Sequence, residues 1–113
     1  MPVLEFSPRF VPLIISGQKR QTVRRTLKCA PGDALQLMEA DTTRRLVDPD
    51  PICTAVHGVK FASTGIFMDG EPINPSTHTY FARASGFTDL HEMLDWYFVL
   101  YGRGDFVGFL TKW

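Results

Sequence analysis

The sequence predicts an α+β domain built around a small, strongly curved sheet or barrel. Three observations carry that expectation. Short β-prone runs are interspersed with helical stretches, both chain ends read as strands, and one clearly amphipathic helix stands near the C-terminus. A chain of 113 residues suffices for one domain, 1–113, with one hydrophobic core. Its 44% hydrophobic and 21% charged residues are ordinary for a globular protein.

Val3 to Phe6 suits a strand. Ser7-Pro8 reads as a helix start, with Phe10, Leu13 and Ile14 on one apolar face, Pro12 as a kink or shifted start, and Gly17 as C-cap. Gln21 to Arg25 reads as extended, with Thr22 and Arg24 sharing a solvent-facing side and Val23 turned into the core. Pro31-Gly32-Asp33 is a turn before a strand from Ala34 to Glu39, and Asp41 to Pro51 is a polar loop. A long strand is expected over Ile52 to Ala62, with Cys53, Ala55, Val59 and Phe61 along one side. Gly65 to Gly70 resembles a short strand ending in a turn.

Asn74-Pro75 suggests an N-cap and a helix to about Ala84, with Tyr80 and Phe81 in the core. The clearest helix runs from about Thr88 to Tyr101. Leu90, Met93, Leu94, Tyr97 and Tyr101 share a face, while Asp89, Glu92 and Asp95 read as solvated. Asp105 to Trp113 carries apolar residues on both alternations, as expected of a strand buried on both faces. Trp96 falls at the polar edge of its helix, where an indole can stack a base or pack at a rim.

Charge is segregated along the chain. Between Phe6 and Gly32 there is no acid, while Arg9, Lys19, Arg20, Arg24, Arg25 and Lys28 are basic; from Asp33 onward eleven acids face six bases. A local positive field on a neutral molecule suits an anionic partner. No run approaches the length of a membrane span, and the N-terminus lacks the basic and apolar regions of a signal peptide. Cys29 and Cys53 form no C-x-x-C pair and read as buried thiols. His57, His78 and His91 share no spacing with a nucleophile or ligand. The expectation is a cytoplasmic protein with no metal and no cofactor.

The basic run has a specific pattern. Phe6, Arg9-Phe10, Ile14 and Gly17 lead into G-x-K-x-x-T-x-R, written Gly17-Gln18-Lys19-Arg20-Gln21-Thr22-Val23-Arg24. Pro31-Gly32-Asp33, then Gly86-Phe87 before the amphipathic helix, and a closing F-x-G-x-L-x-x-W follow in order. Over nearly its whole length the chain resembles the ASCH domain family, whose fold is a small β-barrel related to the PUA RNA-binding domain. It is similar in particular to the compact ASCH proteins of phage and prophage. The resemblance implies a PUA-like barrel with flanking helices that handles RNA or a nucleotide.

In one bacterial branch of that family the activity is hydrolysis of N4-acetylcytidine to cytidine and acetate. There the motif lysine and threonine and a glutamate before the second main helix are catalytic. Lys19 and Thr22 match, whereas Ser85 stands where the glutamate precedes the Gly-Phe element. Thr22 is then the candidate nucleophile and Lys19 its base if burial lowers its pKa. Arg24 orients substrate or stabilises an oxyanion. Arg20, Arg24, Arg25 and Ser85 are the expected substrate- or RNA-binding residues, with Arg20, Arg25 and Lys28 attracting phosphate without reading bases. Three functions follow: an amidohydrolase on N4-acylated cytidine, a non-catalytic RNA- or nucleotide-binding module, and an accessory protein that binds a protein partner.

Overall fold

The computed structural model describes residues 2–113 and has an α+β architecture. Strand β1 (Val3–Phe6) buries Leu4 and Phe6 and pairs in parallel with β3 (Gln36–Glu39), Val3 opposite Gln36 and Phe6 opposite Glu39. The main sheet is antiparallel, in the order β2 (Gln21–Arg24), β7 (Phe106–Lys112), β4 (Ala55–Ala62), β5 (Gly65–Met68) and β6 (Glu71–Pro72). An isolated bridge between Ala34 and Ile52 links the two sheets. Among the described residues no ladder joins β1 or β3 to β2 to close the strands into a ring.

Proline shapes the first helix. Pro8–Phe10 forms a 3-10 turn and α1 spans Val11–Ile15, so the start shifts to place Pro12 in the first turn, where its missing N–H costs nothing. Gly17 closes the helix at φ 86°. Asn74 caps a second 3-10 turn, Pro75–Thr77, by accepting from the Ser76 amide at 3.0 Å, and α2 follows over His78–Ala84. Helix α3 (Leu90–Tyr101) begins with a capping arrangement: Asp89 Oδ1 accepts from the Glu92 amide at 2.9 Å, and Glu92 Oε1 from the Thr88 amide at 3.0 Å. These two acids, expected only to solvate the helix, therefore define its first turn.

Leu4, Leu35, Leu37, Phe61, Met93 and Leu110 form the centre of one contiguous buried cluster, onto which α3 lays Met93 and Tyr97. Three expectations need correction. β4 begins at Ala55 rather than Ile52, because Ile52 is exposed and contributes only the bridge to Ala34. β7 is not buried on both faces: Phe106, Gly108 and Leu110 point inward, while Val107 is 63% and Phe109 37% exposed. Helices cover one face of this sheet only, as antiparallel sheets permit. Tyr80 is not core but 74% exposed, since α2 buries Phe81 and Ala82 instead. Among the described residues no helix is long and apolar enough to cross a membrane.

Candidate functional site

An open pocket of about 160 Å³ lies between β1, β2 and the C-terminal half of α3, with Lys19 of the α1–β2 segment on its lining. Lys19, Thr22 and Arg24 line it together with Glu5 and Phe6 of β1. Five further aromatic rings line it, Phe10, Phe87, Trp96, Tyr97 and Tyr101, alongside Ser7, Val23 and Leu100. Thr22 and Arg24 do share one side of β2, but that side faces this pocket rather than open solvent. Thr22 is 7% exposed and Arg24 half-buried, because β1 and α3 cover the strand.

Lys19 is the most confined of the charged groups, at 3% exposure. Its Nζ donates to the main-chain oxygens of Gln21, at 2.8 Å, and Ser85, and lies 4.8 Å from the Phe10 ring centroid. Among the described residues no carboxylate pairs with it. Burial pushes its pKa well below that of an ordinary lysine, and the positive charges of Arg24 and Arg9 push the same way. The Gly86-Phe87 landmark has a physical reason here. Gly86 has φ 99°, and a Cβ on it would come within 2.8 Å of Phe10 Cδ1 and 2.9 Å of Lys19 Cδ. Only glycine lets this turn press against the lysine stem.

Arg24 donates from Nη2 to the main-chain oxygen of Glu5 at 2.6 Å and stacks 4.9 Å from the Phe6 ring. Its buried Nε has no protein partner. Burial lowers the guanidinium pKa, opposed by Tyr97, Tyr101 and Glu5, and an arginine stays cationic regardless. An unpartnered charged donor within a pocket is a standing demand for an acceptor. Gly108 permits the approach of β2 to β7 at this point, since a Cβ there would lie 2.5 Å from the Arg24 carbonyl oxygen.

Arg9 closes the rim. Its guanidinium lies 4.9, 5.1 and 5.2 Å from the centroids of Phe10, Phe87 and Trp96, and it pairs with Glu92 at 3.0 Å. Arg25 rests 5.0 Å from the Tyr101 ring at the outer edge.

The structure thus brings Lys19, Thr22 and Arg24 into one concavity, with Arg25 beside it. Ser85 lies behind it, 1% exposed: its carbonyl accepts a hydrogen bond from Lys19 Nζ and its hydroxyl accepts from Gln21 Nε2 at 2.9 Å. Ser85 does not line the pocket. Arg20 points to a different groove, donating from Nε to the Trp113 oxygen at 3.1 Å.

Sequence reasoning missed Glu5, the one acid on the pocket lining, and the aromatic wall formed by Phe6, Phe10 and Tyr101. The alternation of β1 does put Glu5 opposite in facing to the core residues Leu4 and Phe6. Nothing local to β1, however, says that α3 will arrive above it. Among the described residues no cluster of three histidines, cysteines or acids is placed to hold a metal ion, and Cys29 and Cys53 are both buried free thiols. No protein-family model, curated protein or solved structure matches this chain.

Proposed function

We propose that the chain is an ASCH-like, PUA-related domain that recognises a nucleoside or an RNA base in the pocket between β1, β2 and α3. The observation that carries this reading is the pocket's composition. Two nitrogen donors, the Lys19 amine and the Arg24 guanidinium, and the Thr22 hydroxyl face a space bordered by aromatic rings, with one carboxylate at Glu5. Planar heteroaromatic rings with acceptor edges fit such a setting, stacking on the walls and drawing hydrogen bonds from the donors. A volume of about 160 Å³ matches the roughly 150 Å³ that admits one six-membered aromatic ring. The link from the β1–β3 pair through Ala34 and Ile52 to the five-stranded sheet supports an open, PUA-like barrel. The two free buried thiols fit a cytoplasmic setting.

Hydrolysis of an N4-acylated cytidine is the second reading, favoured by one observation: the Lys19 amine is pushed toward its neutral form in the same pocket as Thr22. A neutral amine can take the hydroxyl proton as oxygen attacks the amide carbon. Protonating the leaving amine needs an acid. The position where relatives carry glutamate is Ser85, which is engaged by Gln21 and lies off the pocket lining. Recognition therefore ranks ahead of turnover.

Incubation with N4-acetylcytidine, followed for release of cytidine and acetate and for binding by calorimetry, tests both readings. The expected result is saturable binding lost in Arg24→Gln, with no turnover above Lys19→Ala and Thr22→Ala. Turnover that those substitutions abolish would make the chain a hydrolase. Absence of nucleoside and RNA binding at low salt would put the protein-partner reading first.

A further inference from the structure

A second cavity lies on the other side of the basic segment. It is an open groove of about 500 Å³, and its lining includes Arg20, Arg83, Lys112, Tyr80 and Trp113. Three cations and no acid line it, and none of the three is in an ion pair among the described residues. Four of the other bases are paired with an acid: Arg9 with Glu92, Arg44 with Glu39, Arg45 with Asp50 and Lys60 with Asp105. Arg20 and Arg83 each spend Nε on a main-chain oxygen, that of Trp113 at 3.1 Å and of Thr88 at 3.3 Å. The bond to the Thr88 carbonyl orients the Arg83 fork without cancelling its charge. Like charges gathered without counter-charge repel, and an anionic ligand relieves that repulsion.

Tyr80 is the second feature. It is 74% exposed, while its neighbours Phe81 and Ala82 are buried. It borders not only the basic groove but also a smaller apolar cavity of about 140 Å³ that includes Met68, Ile73 and Phe81. Gln21 and Lys112 border both cavities as well. An aromatic ring bordering two cavities, with unpaired cations around it, has the elements of a stacking platform for single-stranded nucleic acid: a π-face for a base and charges for the backbone.

We infer that the groove of Arg20, Arg83 and Lys112, with Tyr80 as its stacking ring, is a second binding site that holds the phosphates and one base of a single-stranded polynucleotide. This deepens the proposed function and rests on it: the pocket of Lys19 and Arg24 takes one base, and the groove takes neighbouring nucleotides of the same strand. Arg20, Arg83 and Lys112 contact phosphate and carry no sequence preference; the stack on Tyr80 tolerates any base.

Two probes separate the sites: free cytidine for the pocket, and a single-stranded RNA of about ten nucleotides, within the site sizes usual for such grooves. Tyr80 and Arg83 are exposed, so their substitution leaves the fold intact, which thermal melting verifies. Tyr80→Ala should weaken RNA binding by roughly fivefold to a hundredfold, with Tyr80→Phe restoring it. Arg83→Gln should lower the slope of log affinity against log salt by about 0.7, the loss of one phosphate contact on a single strand. Cytidine affinity should be unchanged in all three. RNA affinity and salt slope equal to wild type in both Tyr80→Ala and Arg83→Gln would overturn the groove proposal. So would a wild-type protein that binds cytidine but binds the RNA no more tightly, and in both cases the pocket reading would stand. Failure to bind either probe would remove the pocket reading and the groove with it.

Discussion

Lys19 and Arg20 are adjacent in sequence and opposite in circumstance. Lys19 is 3% exposed, held by two carbonyl oxygens beneath aromatic rings. Arg20 is exposed, turned to the far side of the chain and braced on the Trp113 oxygen. One run of basic residues therefore borders two cavities of different physics. In the pocket, a charge is desolvated, its pKa falls, and each hydrogen bond it makes is worth more than in water. In the groove, charges remain hydrated and act through number and field, so salt governs them. A basic segment is thus not one electrostatic feature. Which side of the chain a residue takes decides whether its charge is desolvated or hydrated.

The largest test of that contrast is alanine at each neighbour. Lys19→Ala leaves the Gln21 and Ser85 carbonyls without their donor and should cost about 2–4 kcal/mol by urea denaturation. Arg20→Ala should stay within about 0.5 kcal/mol. Equal effects would break the comparison. Next is Gly86→Ala, at φ 99° and against Phe10 and Lys19. About 1–3 kcal/mol of backbone strain is expected, together with lost nucleoside binding and intact melting cooperativity.

A pH series sharpens the pocket side. The folded pKa of Lys19 lies below the ordinary 10.5. Between those two values the unfolded chain binds more protons than the folded one. The contribution of Lys19 to stability therefore rises with pH across that window and is lowest beneath it. Comparing wild type with Lys19→Met, the wild type should gain relative stability as pH rises toward 10.5, by at most about 1.4 kcal/mol per pH unit. A flat difference would mean that the amine is solvated. The smallest expected effect is that of Ser85→Ala. Gln21 Nε2 keeps the Phe81 carbonyl at 3.3 Å, so the change should cost about 1 kcal/mol of stability and leave nucleoside affinity alone. A large loss of affinity would instead place the Ser85 hydroxyl on the ligand.

Local chemistry made much of the fold legible. Pro12, Gly17, Asn74 and Gly102 mark ends or starts of helices where capping and proline rules put them. β1 and β5 lie where short apolar runs stand, and β2 lies within the segment that reads as extended. What failed was burial that depends on partners. Val107 and Phe109 look like core in a strand, yet no helix covers that face of β7. Tyr80 looks like core on a helix, yet α2 turns Phe81 and Ala82 inward and leaves Tyr80 exposed. The site divides the same way. Lys19, Thr22 and Arg24 come from one contiguous segment and were readable together. Glu5, Tyr101 and the split between Arg20 and its neighbours depend on the meeting of β1, α3 and the C-terminal strand, which only tertiary structure supplies.

The two tryptophans of the chain line the two cavities, Trp96 the pocket and Trp113 the groove. The most direct test of the central claim is a fluorescence titration of Trp113→Phe, in which Trp96 is the sole indole, with cytidine and N4-acetylcytidine. The account predicts a saturable change in Trp96 emission that Arg24→Gln abolishes. Unchanged Trp96 emission throughout the titration, or the same change in the Arg24→Gln background, would contradict it.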